Sequence, residues 1–270
     1  MKNETRPEIL PTLFIPHGGG PCFFMDWNPP QTWKKMGAWL ESVGNSIGAL
    51  PKAVLAISGH WEQPELAVTG AAHPPLIYDY HGFPPHTYQL RYDAPGDPEL
   101  ARNIAEMLKN SGYPCSIDAQ RGFDHGVFIP FKLVYPAANI PIIQLSLKGG
   151  LDPREHLEIG RALQPLRKQG VLIVGSGMSY HNLRGFGDEF GPASDEFDAW
   201  LTEAVCAPDV GERNRRLEHW QQAPHARLAH PREEHLLPLM VAAGAAGVDV
   251  GTRIFQDRVT GVTISAYRFS

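Results

Sequence analysis

Three apolar runs of the chain each lead into a histidine. TLFIP (12–16) runs into His17-Gly18-Gly19-Gly20, AVLAISG (53–59) into His60-Trp61-Glu62, and VLIVGSGMSY (171–180) into His181-Asn182. In open α/β sheets the ligand crevice lies just beyond the carboxyl ends of the strands. Strands that each deliver an imidazole to that edge bring together side chains from sequence-distant places. Neutral imidazole is the commonest side-chain metal ligand and suits zinc, iron and copper. The pattern therefore points to a metal site built where the imidazoles of His17, His60 and His181 converge. The glycines after His17 allow the backbone to pass close to a ligand, because glycine carries no Cβ and tolerates positive φ.

A further candidate lies in HPREEHLLPL (230–239). His230 and His235 are five apart, which on a regular helix separates them by roughly 140°, so both do not face one ion. The spacing also differs from the HExxH zinc motif, whose histidines are four apart. A helix opening at Pro231 would set His230 at its mouth and His235 one turn inside. His235 is the expected ligand, and His230 is left for a substrate-side or supporting role. His125, in the glycine-bracketed GFDHGVFIPF, is a candidate catalytic group. Glu62 is a candidate carboxylate ligand or an orienting base for a ligand histidine. His156, His219 and His225 read as solvated helix-surface residues.

The elements that must position these groups follow from apolar patterning. TLFI (12–15), AVLAIS (53–58), IPIIQLSL (140–147) and VLIVGS (171–176) read as buried strands. Residues 33–50, 97–111 and 153–169 show helical spacing. Asp97-Pro98 and Asp152-Pro153 each combine a capping residue with proline at the first helical position. Strands alternating with helices imply an α/β fold with a mostly parallel central sheet flanked by helices. The last third reads as helices from about 192 to 247, followed by RIFQDRV and VTISAYRF as an antiparallel hairpin at the sheet edge. No repeat or linker interrupts the pattern, so one catalytic domain is expected over 1–270. The stretch 70–96 is rich in proline, aromatics and histidine, as expected of an ordered binding loop.

Composition narrows the function classes. With 270 residues, 43% hydrophobic and 20% charged, the chain is an ordinary globular one. A net charge of −5 gives no reason to expect nucleic acid or an anionic membrane as partner. No apolar run approaches the roughly 20 residues of a membrane span, and MKNETRPEIL lacks the layout of a signal peptide. Cys22, Cys115 and Cys206 form no close pair, which argues against a disulfide framework or a cysteine metal knuckle. A cytoplasmic, reduced enzyme is expected.

PTLFIPHGGGP, AISGHWE, YDYHGFPPHTYQLRYDAPGDP, DHGVFIPFKLVYP, IPIIQLSL, VLIVGSGMSYHNLR and HPREEHLLPLMVAAGAAG together resemble the class III extradiol ring-cleaving dioxygenases, the LigB-like superfamily. The similarity covers nearly the whole chain and is strongest to the DOPA 4,5-dioxygenase-like branch. It implies one mononuclear Fe(II) or Zn(II) site, with His17, His60 and His235 as ligands. It also implies His181 as the acid/base, sometimes counted as a further ligand, and His125 as the residue that binds and polarises substrate. His235 stands where the better-known protocatechuate-cleaving relatives carry a glutamate, so the donor set is one unit more positive. The implied reactants are a small aromatic diol and O2. Tyr78, Tyr80, His81, Phe83 and His86 then become walls of an aromatic slot, with Tyr80, His81 and His230 as the substrate-contact candidates. Arg91 or Arg184 would serve a substrate carboxylate. A zinc hydrolase using metal-bound water, or a non-catalytic metal-binding protein of the same fold, are the alternatives. HGGG also brings a serine hydrolase to mind, but neither Ser176 nor Ser179 has the glycine spacing of a nucleophile elbow.

Overall fold

The computed structural model describes residues 9–270; residues 1–8, on which the signal-peptide reading partly rested, lie outside them. The strands are β1 (Thr12–Pro16), β2 (Ala53–Gln63), β3 (Leu66–Thr69), β4 (Cys115–Asp118), β5 (Ile142–Lys148), β6 (Val171–Gly177), β7 (Gly251–Val259) and β8 (Val262–Phe269). The helices are α1 (Lys34–Ser46), α2 (Pro98–Asn110), α3 (His125–Val134), α4 (Pro153–Leu163), α5 (Gly191–Val205), α6 (Val210–Glu218), α7 (Ala226–Ala229) and α8 (Leu237–Ala246). All eight strands form one sheet in the order β4-β3-β5-β2-β6-β1-β8-β7.

The centre of the sheet, β5-β2-β6-β1, is parallel, as apolar strands buried on both faces require. The β7–β8 hairpin joins antiparallel to β1 and forms the expected edge addition. The other edge was not foreseen: β3 pairs antiparallel with β5, and β4 runs parallel to β3. Both are four residues long, and β4 is only half-buried, so neither leaves a clear apolar run.

Helix ends follow local chemistry. The Asp97 and Asp152 carboxylates accept backbone N–H bonds from the first turns of α2 and α4, as the sequence predicts. α4 stops at Leu163, short of the expected 169, and gives way to a 3₁₀ stretch holding Pro165, which has no N–H to donate. α8 begins at Leu237, after His235, so His235 is not one turn inside a helix as expected. Pro238 falls in the first turn of α8, the helix position proline favours, which suits a start there.

α8 is apolar all round and wholly buried, packed between α4 and the sheet. Gly244 and Gly160 let α8 and α4 approach: a Cβ at Gly244 would run into the Leu157 carbonyl and lie 3.1 Å from the Arg161 nitrogen. Because α8 holds the segment that carries His235, this packing also anchors the site. Gly244→Val is expected to lower the unfolding free energy by about 2–3 kcal/mol. A shift of the denaturant midpoint at constant slope measures it.

Candidate active site

β1 ends in Pro16, and His17 follows at the carboxyl edge, its N–H bonded to the Gly177 carbonyl at the end of β6 (3.2 Å). The chain then turns through Gly18, whose φ of +81° suits glycine. β2 does not stop at His60 but runs on to Gln63. Its register against β5 breaks between Ile57 and Glu62, and beyond Ser58 it has no β6 partner. His60 sits in this irregular stretch, where the backbone leaves the ladder. Gly59 makes room for the third contributor: a Cβ there would lie 3.0 Å from the Glu234 carbonyl and 3.2 Å from the His235 Cα. His235 is held by a bond from the Met178 N–H to its own carbonyl (3.1 Å).

Ring centroids of His17, His60 and His235 are 4.7–5.2 Å apart. One nitrogen from each lies within 4.8 Å of the others, a spacing that can hold a metal ion. Their remaining contacts are informative. His17 Nδ1 is 2.9 Å from the Gly18 carbonyl, so Nδ1 carries the proton and donates it there. His235 Nδ1 likewise donates to Glu234 Oε1 (2.9 Å). That leaves the Nε2 lone pairs of both rings free. His17 Nε2 is buried and has no hydrogen-bond partner, a condition that costs roughly 1–3 kcal/mol unless something binds it. His60 Nε2 lies 3.2 Å from His235 Nε2, a close meeting of acceptor atoms that a shared cation relieves. The donor set therefore fits a metal: three imidazoles with inner nitrogens unspent, the outer nitrogens of His17 and His235 tied to acceptors and that of His60 facing Asp79 Oδ2 at 3.7 Å.

Two further histidines stand beside the triad. The His125 ring is 4.0 Å from His60 and 5.3 Å from His17. Both its backbone N–H and its Nδ1 donate to Asp79 Oδ1, each at 2.9 Å. His181 stacks on His235 with centroids 3.4 Å apart, and its Nδ1 lies 3.4 Å from the same Glu234 Oε1 that His235 uses. It falls in a cluster with Glu234 and His235 and not in the one formed by His17 and His60.

Burial and mutual proximity govern the charge state. Desolvation, then the neighbouring histidines, hold His17 and His235 well below the ordinary histidine range. Desolvation and His125 bring His60 to about 3, against the opposing pull of Asp79. Burial pushes the Asp79 carboxyl up, but hydrogen bonds and charge from His125 outweigh it and leave it at about 2. Burial likewise opposes ionisation of Glu234, and the His181 contact prevails, keeping it low. Neutral imidazoles beside ionised carboxylates are the protonation state that metal binding requires.

The cavity beside the imidazoles has a volume of about 580 Å³ and is lined by His17, His60, His125, His181 and His235 together with Tyr80, His81 and Phe83 of the long loop. That loop is ordered, with Tyr78 and Tyr80 hydroxyls donating to the Leu90 and Thr87 carbonyls (2.6 Å each). Tyr78 and His86 do not line the cavity; His86 reaches the Phe24 carbonyl instead. His230, expected on the substrate side, is buried between Phe197 and Trp220, bonds the Ser179 carbonyl and lies off the cavity. Glu62, offered as a ligand or orienting base, forms a paired ion bridge with Arg232 instead. His156 is buried, not solvated, and bridges the Asp152 carbonyl and the Lys148 N–H, whereas His219 and His225 are exposed as expected. Asp79 and Glu234 were not singled out from sequence. The signal available was position: each adjoins residues already under suspicion, in YDYHGF and REEH.

The catalytic LigB subunit family of aromatic ring-opening dioxygenases matches residues 11–269. The chain belongs to that family. A 4,5-DOPA dioxygenase extradiol of Beta vulgaris is 39% identical over 98% of this chain and 98% of its own length. One of the same name from Escherichia coli K12 is 33% identical over 87% of this chain and 85% of its own. The crystal structure of an uncharacterized Escherichia coli K12 protein superposes with a TM-score of 0.77 at 26% identity, covering 97% of this chain and 100% of that one. These relatives put the chain in the extradiol, DOPA 4,5-dioxygenase-like branch of the family, and they do not favour a hydrolase.

Two predictions follow from the charge state and the carboxylates. In the unfolded chain a histidine titrates near 6.5, whereas His60 and His230 do so at about 3 in the fold. The unfolded state therefore binds more protons below about pH 6.5, and stability present at neutral pH is lost as pH falls from there toward about 3. Thermal midpoints of metal-free protein across that window read it out; a flat profile contradicts it. Glu234→Ala is expected to weaken metal affinity about 10–100-fold, as measured by competition with a chromogenic chelator.

Proposed function

We propose that this chain is a non-haem, metal-dependent extradiol dioxygenase that opens the ring of a catechol-type substrate with O2. The observation that carries the reading is the meeting of His17, His60 and His235, with His17 Nε2 buried and unpartnered. The three would hold one mononuclear metal, Fe(II) for the dioxygenase; as a donor set they also suit Zn(II), which has no redox chemistry. Bound Fe(II) would supply adjacent sites for the diol and O2 and a path for electrons between them.

The chain's own residues do the rest. The aromatic walls, Tyr80 and Phe83 among them, hold the ring and exclude water. His181 removes a hydroxyl proton from the diol and returns it when the O–O bond breaks. Glu234, accepting at its Nδ1 side, keeps the His181 ring oriented. Asp79 does the same for His125, leaving Nε2 to meet a substrate oxygen. The carbon–carbon bond beside the diol breaks, both atoms of O2 enter the product, and a muconic semialdehyde results. Three unpaired thiols, Cys22, Cys115 and Cys206, support the expected reducing, cytoplasmic setting.

Anaerobic reconstitution with Fe(II), followed by O2 and a catechol panel, is expected to yield a yellow ring-opened product with matching oxygen uptake. Zinc-loaded protein is expected to yield none; a hydrolase would show the reverse preference on an ester panel. His181→Ala is expected to lower kcat about a hundredfold or more with metal content unchanged. Loss of metal in that variant would make His181 a ligand.

A further inference from the structure

We infer that Thr260, at the tip of the β7–β8 hairpin, is a specificity-determining residue that limits the bulk of the substituent a bound catechol carries. Its side chain, with that of Trp27, divides the active-site cavity from a second cleft. The inference rests on the extradiol reading above and adds to it the residue that sets substrate size.

The backbone at the hairpin tip is unusual. Val259 pairs with Val262, so Thr260 and Gly261 form a two-residue turn, and both have positive φ, +47° and +88°. That is the type I′ pattern, whose first position favours asparagine or glycine. A β-branched residue there is a steric outlier. Such outliers persist only where their surroundings hold them, and they gather at ligand sites. Here the hold is visible. The Thr260 carbonyl accepts the Gly187 N–H (2.8 Å), and a Cβ on Gly261 would stand 2.6 Å from the Asp188 nitrogen. The turn is thus fixed against the loop that follows His181, which also gives Leu183 and Phe186 to the cavity wall.

Thr260 lines the active-site cavity and also an adjoining cleft of about 540 Å³, and Trp27 is common to the two spaces as well. Beyond this divide the cleft is mostly polar, with Asn28, Gln31, Lys35 and Arg258 among its walls. Arg91 and Arg184, the sequence-based candidates for a substrate carboxylate, are exposed and line neither space. His17 and His235 are buried at the deep end of the cavity, whereas Thr260 is exposed at its mouth. A catechol whose diol meets the imidazoles therefore directs its substituent toward the divide. A compact side chain, charged or neutral, stops short of Thr260; a bulky one collides with it. The divide reads size and not charge.

The test uses full-length, Fe(II)-reconstituted protein and a matched pair: 3-(3,4-dihydroxyphenyl)propanamide and its N-benzyl derivative. Both are uncharged, and they differ only in bulk beyond the amide. The natural chain is expected to favour the small amide in kcat/KM by about tenfold or more. Thr260→Gly removes the side chain from a turn that glycine suits, and is expected to move the ratio about tenfold toward the bulky amide. Thr260→Asn keeps comparable bulk and accepts the positive φ. It is expected to raise the thermal midpoint and to hold the natural ratio; a midpoint that does not rise counts against the inference. An unchanged ratio in Thr260→Gly overturns it. So does Thr260→Asn shifting the ratio as far as Thr260→Gly, because backbone conformation and not bulk would then set the selectivity. Anaerobic calorimetric titration with the same pair reads the selectivity without turnover. If neither amide is opened, but the small one binds more tightly and Thr260→Gly narrows the gap, the size limit stands and the dioxygenase reading falls. Equal binding of the pair by the natural chain, or no binding of the small amide, sinks the size limit.

Discussion

The structure is organised around one demand: three imidazoles must stay neutral in a desolvated pocket while their free nitrogens face one another. Each half of that demand is costly by itself. Desolvation removes the protons, which leaves lone pairs in close opposition and one buried acceptor, His17 Nε2, without a partner. A bound cation resolves both at once. The same burial that makes the empty arrangement unfavourable makes the occupied one tight, because little water competes for the donor atoms.

The backbone meets this demand by converging three segments at the carboxyl edge of the parallel strands. β1 brings His17 directly, and β2 brings His60 by breaking register with β5. The turn before α8 brings His235, close against Gly59. The Glu62–Arg232 ion pair ties the end of β2 to the segment that carries His235, so two of the three contributors are also braced from outside. Asp79 and Glu234 complete the frame. Each carboxylate faces two histidines, one in the triad and one beside it.

Much of this was legible in the residues, and the gaps have physical reasons. Long apolar runs ending in histidine identify central strands and their ligand edge, because burial on both faces leaves a continuous signature. β3 and β4 escaped because each is only four residues long, too short to show a period, and β4, at the edge, is only half-buried. His235 was identified as a candidate but placed on a helix that starts two residues later, since proline at 231 and proline at 238 are equally good helix openers. His156 and His230 show that a histidine's surroundings are set by tertiary contacts that spacing does not encode. The carboxylates that orient the histidines are invisible for the same reason: an acid in a loop reads as solvated until its partner from elsewhere in the chain is known.

The triad draws on positions 17, 60 and 235, and the turn of the β7–β8 hairpin adds Thr260 to the cavity wall. No contiguous fragment of the chain holds the centre. During synthesis, the first two imidazoles emerge long before the third, and the strand that carries His17 waits for β8 to cover its flank. Assembly of all three donors is consequently a late event in the protein's biogenesis, and a nascent chain stalled before His235 offers only two of them.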